Sequence, residues 1–102
     1  MMKLPQNSII SSDKIIGYLL KPNKTNDKSK FLALGGYSLD NWLDLEHDLR
    51  ALLRHPADLG QRNKYGQFFE IKGNLRNLKV KTIWLWEHGA EAPRFITLVP
   101  VQ

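Results

Sequence analysis

The chain contains no cysteine, and this absence excludes two kinds of structure. No disulfide framework can hold the fold together, and no thiolate-ligated metal site can form. A cysteine-free domain is typical of a reducing compartment, so we expect the protein to be cytoplasmic. No stretch of the 102 residues is apolar enough to span a bilayer, and residues 1–12 lack the apolar centre of a signal peptide. We therefore expect no contact with a membrane.

The sequence also lacks the short motifs of the common catalytic sites. It has no Gly-rich phosphate loop, no Ser nucleophile elbow, no HExxH helix and no Cys/His zinc spacing. Asp40, Asp44 and Asp48 recur every four residues and so share one helix face, with His47 beside them. This pattern is typical of a solvated face, because divalent-ion sites usually collect ligands from several elements. We therefore predict no metal site and no cofactor.

Acidic residues are outnumbered by basic ones, 10 against 15, which gives a net charge of +5. The excess is uneven, because residues 1–37 and 54–102 are basic and flank an acidic section at residues 38–53. Such a field attracts a polyanion to one side of the molecule. The hydrophobic fraction of 42% is enough for one modest core, so we expect a single domain over residues 1–102.

Helical periodicity is confined to the first half of the chain. A helix is predicted over residues 12–20, with its N-cap within Ser11-Ser12-Asp13 and its end at Pro22, and a short one over residues 28–34, capped by Asn26 or Asp27 and closed by two glycines. The longest helix is predicted from Ser38 to about Leu53. Its apolar stripe, which we expect to pack on a sheet with Trp42 buried, consists of Trp42, Leu45, Leu49, Leu52 and Leu53.

The second half favours strands, because its apolar runs are rich in aromatic and β-branched residues. The predicted strands cover residues 59–63, 68–71, 80–86 and 95–99, and turn signals fall at residues 65–66, 76–77 and 88–89. The order of elements predicts an α+β fold. N-terminal helices, at about residues 12–54, would pack on one face of a four-stranded antiparallel meander at about residues 58–100.

Basic residues of the sheet half alternate with aromatic ones, which suits an RNA strand. Phosphates would meet the cations, and unstacked bases would meet the rings. An alternative is that the cations cover the surface and the aromatics fill the core; for Trp84 and Trp86, on one strand face, both interpretations stay open. The predicted nucleic-acid contacts are Arg62, Lys64, Lys72, Lys79, Lys81 and Trp84.

Several short motifs follow one another along the chain: Lys14-x3-Tyr18-Leu19-Leu20-x-Pro22, Lys28-Ser29-Lys30-Phe31, Gly36-Tyr37-x4-Trp42, Lys64-Tyr65-Gly66, Gly73, Val80-Lys81-Thr82-Ile83-Trp84 and Pro93-Arg94-Phe95-Ile96-Thr97-x2-Pro100. Together they resemble a bacterial domain family of unknown function, and the resemblance covers the chain from Asp13 to Pro100. Members of that family occur as short stand-alone proteins and as C-terminal tips of large secreted toxins. Members often carry His-Pro-x-Gly before the lysine of the second motif, whereas this chain has Asn23–Asp27 there.

The order of helices and sheet, ending in Arg-x-x-Thr, is more remotely similar to the ribonuclease superfamily of barnase, colicins and RelE-like toxins. That resemblance implies a metal-independent endoribonuclease, in which the RNA 2′-hydroxyl attacks its own phosphate. Arg94 would stabilise the charge that develops on the phosphate. Lys28 would supply a mobile positive charge or transfer a proton, and Tyr65 would act as acid or base or stack on an RNA base. Thr82 and Thr97 would form hydrogen bonds with phosphate oxygens. Arg94 and Thr97 are three residues apart, so a regular strand would send them to opposite faces unless a bulge intervenes.

The toxin-like interpretation implies two partners, an RNA substrate and a small acidic antitoxin-like protein encoded nearby. The alternative function is a non-catalytic protein-binding module, antitoxin-like, immunity-like or adaptor-like, whose basic sheet holds an acidic protein. It is favoured by the lack of a convincing proton-transfer histidine among His47, His55 and His88, of which His88 at the end of the sheet is the strongest candidate. We expect no DNA partner, because the long acidic helix would be repelled from a major groove.

Overall fold

The computed structural model describes residues 2–22 and 28–101 of the chain. The predicted first helix begins as α1, Ser12–Lys14, and continues as a π-helix over Ile15–Leu19. The amide of Leu20 donates to the carbonyl of Ile15 at 2.9 Å, which closes the wide turn. The cap is Ser11, the first residue of the predicted Ser11-Ser12-Asp13 signal, and its hydroxyl accepts from the amide of Asp13.

The remaining helices also follow the predicted order. α2 spans Lys28–Ala33, and its predicted cap, Asn26 or Asp27, lies outside the described residues. α3 spans Trp42–Ala51 and lies between two 3₁₀ turns, Leu39–Asn41 and Leu52–Arg54. Within the described residues, no helix is both long and apolar enough to cross a membrane.

The apolar stripe of α3 faces the core, with one correction to the prediction. Leu45 and Leu49 are fully buried, but Trp42 is only partly buried and packs against the rim of the core. The chain approaches the sheet most closely after α3 ends, where Leu52 lies directly over Gly73. Trp42 is the first residue of α3 and lies at the far end from that contact, so its ring keeps some exposure.

The four predicted strands form one antiparallel sheet in the order β1-β2-β3-β4, which confirms the predicted α+β meander. The strands are β1 Asp58–Arg62, β2 Gly66–Leu75, β3 Leu78–Glu87 and β4 Arg94–Pro100. The turns fall where the sequence predicted them. Arg76 and Gly89 take positive φ values of 56° and 78° in the second and third turns.

The two faces of the sheet have different surroundings. The core face carries Ile71, Thr82, Trp84, Phe95 and Leu98, all buried, and the helices pack their apolar residues against it. The opposite face, here called the open face, follows from the strand register. Its residues are Gly66, Phe68, Glu70, Lys72 and Asn74 of β2, Lys79, Lys81, Ile83, Leu85 and Glu87 of β3, and Arg94, Thr97 and Val99 of β4.

Candidate nucleic-acid interface

A bulge in β4 decides which residues of its motif share a face. Ile83 pairs with Thr97 and the next residue, Trp84, pairs with Phe95, so Ile96 is the extra residue of the bulge. Arg94 opposes Leu85, which lies on the same face of β3 as Ile83. Residues directly opposite in an antiparallel pair point to the same side, so Arg94 and Thr97 both lie on the open face.

The N-terminal segment holds the start of β4 in position. The amide of Ile9 donates to the carbonyl of Pro93 at 2.8 Å, and the amide of Phe95 donates to the carbonyl of Ile9 at 2.8 Å. Arg94 lies between these two bonds, in a parallel bridge with Ile9. The backbone of Arg94 is therefore anchored on both sides.

The Arg94 guanidinium is oriented by a single ion pair. Its Nε donates to Glu87 Oε1 at 2.8 Å, and both side chains are 45% exposed. Neither Nη atom forms a hydrogen bond with a residue of the described part of the chain. Glu87 thus holds the plane of the guanidinium through Nε and leaves the two Nη atoms for a bidentate contact with an anion.

Tyr18 reaches Thr97 from the helical layer. Its hydroxyl lies 3.0 Å from Thr97 Oγ1, and the Lys14 Nζ lies 4.9 Å from the centre of the Tyr18 ring. The wide turn of the π-helix buries Ile15 and Leu19 and leaves Tyr18 outside. Sequence reasoning did not include Tyr18 or Lys14 among the site residues, although their spacing of four in the first motif was a usable signal.

Thr82 and Trp84 are not available to a ligand, and the predictions that they contact RNA are wrong for this structure. Both side chains are 0% exposed, because their positions in β3 point to the core face. Trp84 Nε1 donates to Thr82 Oγ1 at 2.9 Å, and that hydroxyl donates to the carbonyl of Ile71 at 3.0 Å. The pair satisfies two polar groups inside the core, which is a structural role.

Lys28 and Tyr65 do not join Arg94 and Thr97. Lys28 begins α2 in the helical layer, and Tyr65 lies in the turn between β1 and β2, with 60% of its surface exposed. The Lys64 Nζ lies 5.2 Å from the centre of the Tyr65 ring. Neither Lys28 nor Tyr65 bonds Arg94 or Thr97 within the described chain, so only two of the five predicted catalytic residues share a face.

Three of the predicted nucleic-acid contacts, Lys72, Lys79 and Lys81, lie on the open face. Lys72 and Lys81 are directly opposite each other, and Lys81 Nζ lies 3.6 Å from Glu70 Oε1. Lys72 and Lys79 are exposed and have no ion-pair partner in the described part of the chain. Opposed like charges destabilise a strand pair, so an anion on this face would relieve the repulsion.

The acidic helix face has a structural explanation. Asp44 Oδ2 and Asp48 Oδ2 lie 3.3 and 3.9 Å from nitrogens of Arg76, and His47 lies 3.4 Å from Asp48. In residues 2–22 and 28–101, no group of three or more His, Cys, Asp or Glu is arranged to hold a metal ion. His88 lies in the turn after β3, with Nε2 3.3 Å from the carbonyl of Asn63.

Comparison with known families gives one match. The model of a family described as a domain of unknown function (DUF6883) matches residues 3–102, nearly the whole chain. This confirms the expected membership of a domain family of unknown function, whereas the likeness to toxins and ribonucleases stays a prediction. No curated protein and no solved structure matches the chain.

Proposed function

We propose that this chain, which belongs to the DUF6883 family of unknown function, binds RNA across its open face and cleaves it without a metal ion. One observation carries the proposal. The bulge at Ile96 brings Arg94 and Thr97 to one face, where Tyr18 also reaches Thr97. The site therefore combines an oriented guanidinium with two neighbouring hydroxyl groups. Such groups can bind a phosphodiester and stabilise the charge that develops on it.

The lysines of the open face support binding of the RNA backbone. Lys72, Lys79 and Lys81 lie toward the turn between β2 and β3, and Arg94 lies toward the other end of β3. Lys81 and Leu85, the residue opposite Arg94, are four apart on one strand, about 13 Å. Between the charges, Phe68 and Ile83 are partly exposed and provide apolar contact for unstacked bases.

The residues that flank Arg94 support a proton-transfer mechanism. Three residues of β3 follow one another on the open face. Glu87 comes first, Leu85 is next and lies opposite Arg94 of β4, and Ile83 is last and lies opposite Thr97 of β4. The Glu87 carboxylate and the Tyr18 hydroxyl therefore lie on either side of a phosphate held by Arg94. In the proposed reaction the carboxylate accepts the 2′-hydroxyl proton as the 2′-oxygen bonds phosphorus. The phenol donates its proton to the departing 5′-oxygen.

The first prediction is that the purified protein cleaves labelled RNA in excess EDTA. Arg94→Lys should fold normally and lose about 100-fold or more in rate, because an ammonium cannot replace the bidentate fork. Tyr18→Phe should lose activity in the same assay. Matched controls are Arg54→Lys, an exposed arginine with no ion pair in the described chain, and Tyr65→Phe.

Each result of this assay decides a different part of the proposal. Cleavage that needs a divalent ion would overturn the metal-free mechanism. Full activity in Arg94→Lys would show that Arg94 does not stabilise the phosphate and that the proposed phosphate site is wrong. Binding of RNA without cleavage under any condition would leave an RNA-binding protein and overturn the catalytic part.

A second candidate function, a non-catalytic module that holds an acidic protein, is favoured by the neutral pairs of the open face. Arg94 pairs with Glu87 and Lys81 with Glu70, and the half-buried apolar residues Phe68 and Ile83 lie on the same face. Apolar contacts surrounded by polar groups are typical of protein interfaces. In the ribonuclease proposal the same face would bind an acidic inhibitor protein, so co-purification of such a protein with wild type but not with Arg94→Ala fits both functions. Cleavage of RNA separates them.

A further inference from the structure

A groove of about 430 Å³ lies at the end of the sheet, on the opposite side from the open face. Its walls come from core-face positions of β1, β2 and β3 that the helices leave uncovered, together with Met2 and the turn after β3. The size is that of a small-molecule site. The groove is separate from the proposed phosphate site, because Arg94 and Thr97 lie on the other side of the sheet.

The floor and one wall of the groove are apolar. Leu59 is 70% exposed and Met2 is 50% exposed, and both line it with Phe69 and Trp86. Trp86 Nε1 donates to the carbonyl of Ala90 at 2.9 Å, and its ring centre lies 6.4 Å from that of Phe69. The indole is therefore fixed in orientation with its donor already used, and it offers a flat apolar surface to a ligand.

The rim of the groove carries one positive charge, that of Arg62. Arg62 is exposed and has no hydrogen bond or ion pair with any residue in the described ranges. Lys64 lies in the turn that follows, and His88 lines the opposite side. Glu87 is the acidic residue that lines the groove, and its carboxylate is engaged by Arg94 on the open face. The charge of the rim thus complements an anion.

We infer that this groove binds one nucleotide, with the base against Trp86 and Leu59 and the phosphate on Arg62. A ligand that is both flat and anionic matches an apolar wall beside an unpaired guanidinium. The assignment of this nucleotide to an RNA strand rests on the proposed function. Consecutive residues of β3 connect the two sites, because Trp86 faces the groove and Glu87 faces the open side.

The test is a titration with adenosine 5′-monophosphate, followed by the NMR signals of the three indole Nε1–H groups. The Trp86 signal, assigned with Trp86→Phe, should shift in a saturable way, and the signal of the buried Trp84 should not. Arg62→Ala should weaken binding about tenfold, as expected for loss of one charge-assisted contact. Arg54→Ala, the control, should bind as wild type.

Adenosine without phosphate, and octanoate as an anion without a base, complete the test. Both should bind at least about tenfold more weakly than the nucleotide. Unchanged affinity in Arg62→Ala, absence of saturation, or equal binding of octanoate would each overturn the inference. Arg94→Lys distinguishes the two proposals, because it should slow cleavage about 100-fold or more and leave the Trp86 shift intact. A saturable shift in a protein that never cleaves RNA would support the groove and overturn the ribonuclease.

Discussion

Two threonines of the sheet illustrate how one residue type takes two roles. Thr82 is fully buried and accepts the indole N–H of Trp84. Thr97 lies on the open face, where its hydroxyl meets that of Tyr18. The difference comes from strand position, because Thr82 points to the core and Thr97 points away from it.

The second prediction therefore compares two isosteric changes. Thr82→Val should lower the free energy of unfolding by about 1–3 kcal/mol, because it leaves the buried Trp84 donor without an acceptor. Thr97→Val should change stability by less than about 0.5 kcal/mol and reduce RNA cleavage. Urea unfolding and the cleavage assay measure the two effects. Equal stability of both variants would contradict the structural role of Thr82.

Tyr37 is the residue with the clearest change in acidity. Burial and the hydrogen bond that its hydroxyl donates to Asp48, at 2.5 Å, raise the pKa of Tyr37 above its ordinary value. The folded state therefore holds this proton more tightly than the unfolded chain, in which tyrosine titrates near pH 10. The stabilisation is complete below about pH 10 and is lost as the pH rises toward the folded-state pKa.

The third prediction follows from the raised pKa of Tyr37. Above about pH 10 the melting temperature of the wild type should fall more steeply than that of Tyr37→Phe. Phenylalanine removes the titration and keeps the ring in the core, while the lysines titrate in both proteins. Parallel curves of melting temperature against pH would show that Tyr37 does not contribute.

At the scale of elements, Arg76 connects the turn between β2 and β3 to the helical layer. Its Nη1 donates to the carbonyl of Gly35 at 3.0 Å, its Nη2 lies 3.3 Å from Asp44, and its guanidinium lies 4.3 Å from the centre of the Tyr37 ring. These contacts span elements more than 30 residues apart in the chain. The acidic residues of α3 are therefore used to attach the hairpin.

The fourth prediction separates these contacts from the backbone strain at Arg76. Arg76→Ala should lose about 1–3 kcal/mol of stability, because it removes the contacts and keeps the positive φ. Arg76→Gly should lose about 1 kcal/mol less, since glycine adopts that conformation without a steric cost. Lys79→Ala in the same hairpin is the control. Equal unfolding free energies for the Ala and Gly variants would show that the backbone is unstrained.

At the scale of the whole molecule, an acidic helix face and exposed lysines of the sheet lie on different surfaces. The outer side of α3 carries acidic residues, while Lys72 and Lys79 lie exposed on the open face with no ion-pair partner in the described chain. Such a distribution orients the protein toward a polyanion. Cations that neutralise phosphates release counterions, so binding to RNA should weaken as salt increases.

The fifth prediction concerns this salt dependence. The logarithm of the affinity for single-stranded RNA should decrease linearly with the logarithm of the salt concentration. The magnitude of this slope should be smaller by about 0.7 in Lys72→Ala and in Lys79→Ala than in the wild type. Lys30 is exposed on α2, away from the open face, so Lys30→Ala should leave the slope unchanged. Fluorescence anisotropy with a labelled oligonucleotide measures it. Equal slopes for all three variants would place the RNA away from the open face.

Local patterns in the sequence determined the elements and their order. Period 3.6 around Leu45 and Leu49, β-branched and aromatic runs in β3, and turn residues at Arg76 and Gly89 are all readable within a few residues. These signals depend on neighbours along the chain, and the α+β meander follows from them. The acidic stretch and the basic second half, and with them the polar charge field, are equally local.

Only the tertiary structure decided which of these residues meet. The pairing of β3 with β4 creates the bulge at Ile96. The alternation of apolar and polar residues along a strand predicts a regular register, and it does not show where one extra residue interrupts the pairing. The same pairing unites Arg94 with Thr97 and sends Thr82 and Trp84 into the core. The approach of Tyr18 to Thr97 joins residues 79 apart. Such contacts depend on how the helical layer docks on the sheet, which is why the predicted site was only partly assembled from sequence.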